Sequence, residues 1–252
     1  MHTIDTSRFV NNTLSVRALV PLEEDTITGW NVLVWMMRSA TERWPDRQSF
    51  SEALGRAYAM HVRAGLTGYG SRAGVEVVFE WIRPALIEEP DYPGQVLEIM
   101  EQVLFHPDLS PQRFEEACWM IRSRLLRQEE DPDTAAVLAA LAAAGADTPL
   151  AVSITGTLEG LDRVTLEEVR DLWQTWRSMP KGIYAVGQLS PAVLDFVRDL
   201  PQAELTGFSH QPLAAAAKPY RVVSARDIMQ TALVQGYTTG VTLADPEPAA
   251  LL

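Results

Sequence analysis

Thr26-Ile-Thr-Gly-Trp-Asn-Val-Leu-Val-Trp-Met-Met-Arg-Ser-Ala-Thr-Glu-Arg-Trp-Pro45 decides how the rest of the chain is read. From Ile27 to Ala40 nearly every position is apolar, so no single stripe can be drawn on a helical projection. A helix of that kind must be covered on most of its sides by other elements, which makes it central to the fold. Thr26 or Thr28 is placed to cap its start, and Pro45 prevents its continuation.

Upstream, Leu14, Val16, Ala18 and Val20 alternate with Ser15, Arg17 and Leu19, the period of a strand with one face buried. Downstream, Phe50, Ala53, Leu54, Ala57 and Tyr58 share one face of an amphipathic helix. Met60 to Leu66 and Val75 to Trp81 both alternate, and Gly68-Tyr-Gly-Ser-Arg-Ala-Gly74 lies between them. Together they predict an antiparallel hairpin with a long glycine-rich connection. This glycine pattern does not lie between a strand and a helix, as a dinucleotide-binding turn does.

Helical stripes then dominate: Val96, Leu97, Met100, Val103 and Leu104, followed by Phe114, Cys118, Ile121 and Leu125. Ser110 and Pro111 supply a cap and a first-turn proline between them. An alanine-rich helix runs from Pro132 to about Gly145, and Thr165-Leu-Glu-Glu168 has capping-box spacing before Val169, Leu172, Trp173 and Trp176. Gly182 to Gly187 reads as a buried strand, and Ser190-Pro191 opens another helix. Gln211 to Pro219 resembles a linker, followed by strands at Tyr220 to Ser224 and Ile228 to Thr238. Asp245-Pro-Glu-Pro-Ala-Ala-Leu-Leu252 reads as a helix that is capped and begun but stops short, which predicts a fragment of a longer chain. The fold class expected is α+β, an antiparallel sheet with helices packed mainly on one face.

A net charge of −12, from 33 acidic and 21 basic residues, repels nucleic acid and anionic membranes. The single cysteine, Cys118, excludes an intramolecular disulfide. The N-terminus lacks a basic and apolar leader, and no apolar run approaches the roughly 20 residues of a membrane span. The location these features imply is the cytoplasm.

This order of features resembles one half of a pitrilysin/insulinase family metallopeptidase, whose fold is shared with the mitochondrial processing peptidase and LuxS. The resemblance rests on the strand from Leu14 to Pro21, the apolar helix ending Arg38-Ser-Ala-Thr41 before Trp44-Pro45, the helix Leu54-Gly-Arg-Ala-Tyr58, and Val186-Gly187 closing a strand. Gln230 with Gly236-Tyr237 resembles the strand at which the family's second domain begins. The resemblance implies an N-terminal domain over residues 1–225, and a last strand with the start of a truncated second domain over 226–252.

Active members hold zinc with two histidines at i and i+4, a glutamate between them to activate water, and a distant glutamate as third ligand. Aligning the helix ends places Asn31, Val34 and Trp35 where the first histidine, the glutamate and the second histidine stand. An amide oxygen is a poor zinc ligand, and valine and tryptophan offer neither lone pair nor base. The helix expected to carry the distant ligand has no carboxylate from Ala117 to Gln128. The histidines His2, His61, His106 and His210 include no pair at i and i+4.

No catalytic, cofactor-binding or metal-ligating residue is therefore expected, and zinc is expected only in a partner. The resemblance is nearest to bacterial paired members in which one chain carries the zinc site and the other does not. It implies a chain without the His-x-x-Glu-His site, inactive alone, that pairs with an active zinc-peptidase homologue as a heterodimer, or with itself as a homodimer. Such a chain would help to enclose or bind peptide. The alternative is a structural or assembly subunit with no proteolytic role.

Overall fold

A computed structural model describes residues 1–146, 148–205 and 231–236. Its strands are β1 (His2–Ile4), β2 (Asn11–Pro21), β3 (His61–Tyr69), β4 (Arg72–Ile82) and β5 (Gly182–Val186). Its helices are α1 (Glu24–Met37), α2 (Arg47–Arg56), α3 (Tyr92–Phe105), α4 (Pro111–Glu130), α5 (Pro132–Ala144), α6 (Leu158–Arg163), α7 (Leu166–Ser178) and α8 (Pro191–Asp199).

The strands form one sheet in the order β1-β5-β2-β4-β3, antiparallel throughout except for the parallel pair β1 and β5. Along β2 and β4 the alternation is strict. Leu14, Val16, Ala18 and Val20 pair in register with Phe79, Val77, Val75 and Ala73, and all eight are buried on the helix-covered face. The other face carries polar groups: Ser15 and Arg17 bind Glu76, and the Arg17 guanidinium also bonds the Tyr69 hydroxyl and lies over the Tyr69 and Tyr184 rings. This is the expected α+β architecture.

Helix α1 is buried almost all round, from Ile27 through Val34 and again at Met36 and Met37, with α4, α6, α7 and β3 packed about it. Neither expected threonine caps it. Glu23 occupies the N-cap without a side-chain bond, and Glu24 and Asp25 supply the negative charge that suits a helix start. Thr28 lies one turn inside, buried, and its hydroxyl accepts a bond from the Thr157 amide. The helix is fixed by what covers it more than by its cap. Gly156 follows from the same crowding: at φ +79° a side chain is strained, and a Cβ there would stand 2.5 Å from the Thr28 hydroxyl.

Other caps match the sequence. Ser110 accepts from the Arg113 amide, Thr165 from Glu168 and Ser190 from Val193, while Gly145 closes α5. Three expectations are corrected. The hairpin connection is short, with only Gly70 (φ +62°) and Ser71 between the strands, because Gly68 and Gly74 belong to the ladder opposite Ala73 and Thr67. Helix α2 ends at Arg56, and Tyr58 and Ala59 leave it with positive φ. The segment expected to be a strand at Ile228 to Thr238 is neither strand nor helix over its described residues 231–236, where Leu233 is 88% exposed. The linker at Gln211 to Pro219, the strand at Tyr220 to Ser224, Gln230, Tyr237 and the helix at Asp245 to Leu252 lie outside the described residues.

Lys181 joins α7 to β5. Its ammonium is buried over the Trp176 ring and donates to the carbonyls of Trp176, Met179 and Arg177, which α7 leaves without helical partners. Replacing it with methionine keeps the apolar stem but strands those acceptors, so Lys181→Met should lower unfolding free energy by about 1–3 kcal/mol in urea titration. Burial pushes the Lys181 pKa down to about 8, below the usual 10.5. Between those values the unfolded chain holds more protons than the folded one, so this group makes stability rise with pH from about 8 to 10.5. The chain's other lysine is Lys218. The rise should be visible as a difference between wild type and Lys181→Met in melts across that range.

A candidate site built around Asn31 and Arg124

The three positions matched to the zinc motif lie on one side of α1, where the helix meets α4 and the loop before α6. Asn31 is 4% exposed and fully engaged. Its amide nitrogen donates to the carbonyls of Ile27 and Ile154, both at 2.9 Å, and its oxygen accepts from Arg124 Nη2 at 2.8 Å. Val34 is buried in the core, and Trp35 is half-buried against it. Trp30 is buried as well, and Trp44 stacks on Phe50, so these tryptophans serve packing.

Arg124 is the residue that sequence reasoning missed. It stands on α4, the helix on which a distant carboxylate ligand was sought, one position before buried Leu125 and three after buried Ile121. Nη2 also donates to the Thr155 carbonyl, and Nε is buried without a hydrogen-bond partner among the described residues. Burial, and then the charge of Arg38, pull its pKa below the usual guanidinium value. The available signal was positional: an arginine on the side of α4 that carries Ala117, Ile121 and Leu125 points at the core.

Chemically, the arrangement brings together an amide, a guanidinium and three carbonyls. A guanidinium has no lone pair to give a metal and repels a cation. Among the described residues, no group of three or more histidine, cysteine, aspartate or glutamate side chains is placed to hold a metal ion. His2 stacks on Tyr184, His61 begins β3, and His106 follows α3 with Nδ1 3.4 Å from Glu42. His210 lies outside the described residues. Cys118 is half-buried, and burial pushes its thiol pKa up against the opposing pull of Arg122, the reverse of what a nucleophile needs. Ser39 donates back to the Trp35 and Met36 carbonyls, and Ser153 pairs with Thr155.

Two outcomes follow. Asn31→Ala should cost about 2 kcal/mol or more in chemical unfolding, since it removes three bonds and leaves the Ile154 carbonyl and the guanidinium without the amide. The triple replacement Asn31→His, Val34→Glu, Trp35→His should still purify without stoichiometric zinc by metal analysis, because Arg124 remains and α4 carries no carboxylate from Ala117 to Gln128.

No family model matches the sequence. Among curated proteins, the chain is 21% identical over 261 residues to the probable inactive metalloprotease YmfF of Bacillus subtilis, spanning 99% of this chain and 61% of that protein. Among solved structures, a conserved protein from Enterococcus faecalis superposes with a TM-score of 0.73 at 19% identity, covering 80% of this chain and 49% of the other. A peptidase M16 inactive domain from Pseudomonas fluorescens superposes at 0.65 and 13% identity, covering 84% of this chain and 51% of the other. The chain thus spans about half to three fifths of these three proteins. The resemblance to the pitrilysin/insulinase family read from the sequence is borne out, and the chain carries the fold of a peptidase M16 domain.

Proposed function

We propose that this chain is a non-catalytic subunit of a heteromeric zinc peptidase, helping to enclose or bind peptide for an active partner that carries the zinc. The observation that supports this reading is the Asn31–Arg124 contact, an amide and a cation at a position that the sequence resemblance matches to a ligand of active relatives. Similarity to a protein named a probable inactive metalloprotease, and to a structure titled as an inactive domain, supports the same reading. The chain itself holds no zinc and acts in the cytoplasm; no helix among the described residues is long and apolar enough to cross a membrane.

A role in holding peptide is supported by the sheet edge. β3 is the last strand in the order and pairs only with β4 among the described residues, so its outer backbone groups can take an extended peptide as a further strand. This mode relies on main-chain hydrogen bonds and requires no catalytic side chain.

The test is purification alone and together with an intact His-x-x-Glu-His homologue encoded nearby. The chain alone should carry no stoichiometric zinc and leave unfolded peptides intact. The pair should co-purify and cleave peptides faster than the zinc-bearing chain by itself. Zinc at one equivalent, or cleavage by this chain alone, would sink the proposal. A stable pair whose cleavage rate equals that of the active chain would assign the structural role instead.

A further inference from the structure

The last turns of α3 and α7, with α8 beside α3, border a cleft of about 490 Å³ lined by Glu101, Phe105, His106, Arg177 and Phe196. It shares no residue with the Asn31–Arg124 site. Its volume falls within the roughly 300–1,000 Å³ of small-molecule sites. Phe105 and Phe196 meet edge to face in it, with ring centroids 5.9 Å apart and 81° between the planes. Both rings are only partly buried where they pack against the core, and their remaining surface belongs to the cleft. A third ring can join such a pair in the same geometry and gains attraction beyond the area it buries.

Charges of both signs line the same space. Arg177 and Glu101 stand farther apart than an ion pair allows, and neither has an ion-pair or side-chain hydrogen-bond partner among the described residues. The Arg177 guanidinium lies over the Trp173 ring, 5.5 Å from its centroid, which positions the cation without neutralising it. Nearby carboxylates do not compensate it either: Glu98 pairs with Arg43, and Glu42 lies 3.4 Å from His106. A ligand with a single charge gains from one of the two residues and is repelled by the other. A ligand with an ammonium and a carboxylate on one carbon satisfies both, and an aromatic side chain on that carbon has the two phenylalanines to meet.

We infer that this cleft binds an aromatic α-amino acid as its zwitterion, with Arg177 pairing the carboxylate, Glu101 the ammonium, and Phe105 with Phe196 receiving the ring. The inference stands independently of the proposed pairing with an active peptidase.

The experiment is thermal unfolding of the whole chain, at constant ionic strength, with L-phenylalanine, L-phenylalaninamide, N-acetyl-L-phenylalanine and L-alanine as probes. Phenylalanine should raise Tm saturably. The amide lacks the carboxylate and the acetyl derivative lacks the ammonium, as the first and last residues of a peptide do, and each should bind more weakly by about tenfold or more. Alanine, without the ring, should give no saturable rise. In Arg177→Gln phenylalanine and its amide should become equivalent, and in Glu101→Gln phenylalanine and its acetyl derivative should. Both residues are exposed, so the variants are expected to fold, with far-ultraviolet circular dichroism as the control. Arg72→Gln, at the exposed hairpin, should leave the rise intact. No saturable rise with phenylalanine, an equal rise with alanine, or an unchanged preference over the amide in Arg177→Gln would overturn the inference. Equal binding of the amide or the acetyl derivative by the wild-type chain would overturn it as well, and assign the cleft to a peptide end.

Discussion

A helix that is apolar on every side can exist in water only if other elements cover every side, and this requirement on α1 organises the fold. Sheet strands β3 and β4 lie against one side, α4 and α7 against others, and α6 with its preceding loop closes the remainder. Burying Trp30, Val32, Leu33, Val34, Met36 and Met37 contributes on the order of 10 kcal/mol before conformational entropy is counted. Small consequences descend from the same constraint. Thr28 is free to sit inside the helix because Thr157 meets its hydroxyl, and Gly156 is required because nothing larger fits against it.

A polar residue inside such a helix has to be satisfied in place. Asn31 is, by its own helix, by the Ile154 carbonyl and by Arg124. Each of these bonds is worth about 1 kcal/mol net, yet removing one partner exposes the full cost of desolvating the others. The set therefore specifies position more than it adds stability. It fixes the loop at 154–155 and the inner side of α4 to the same point on α1, and leaves the larger share of stability to packing.

Much of this was legible in the sequence. The period of two in Leu14 to Val20 and Val75 to Trp81 gave both strands and their buried face, because each strand has one wet side. The stripes of α3 and α4 and the caps at Ser110, Thr165 and Ser190 were legible because they rest on neighbours within four residues. Features set by distant contacts were not. β1 is only three residues, all exposed, and carries no period. The glycines at 68 and 74 looked like a loop because glycine carries the same letter in a ladder as in a turn. At the candidate site, Asn31, Val34 and Trp35 could be read letter by letter. What meets Asn31 could not, since Arg124 lies 93 residues from Asn31 and its side of α4 alone hinted at an inward cation.

The residues at these positions are coupled through physics. Val34 and Trp35 add to the apolar content of a helix that must already be enclosed, so each makes a dry, filled site more favourable. A guanidinium brought against that site is tolerated only where an amide and carbonyls receive it, and Asn31 with Thr155 provides those acceptors. Once Arg124 is in place, any single histidine or glutamate restored on α1 would meet a fixed cation and a packed wall instead of a metal. The apolar packing of α1 and the acceptors that receive the guanidinium thus reinforce one another, and the site holds a cation as part of its own chain.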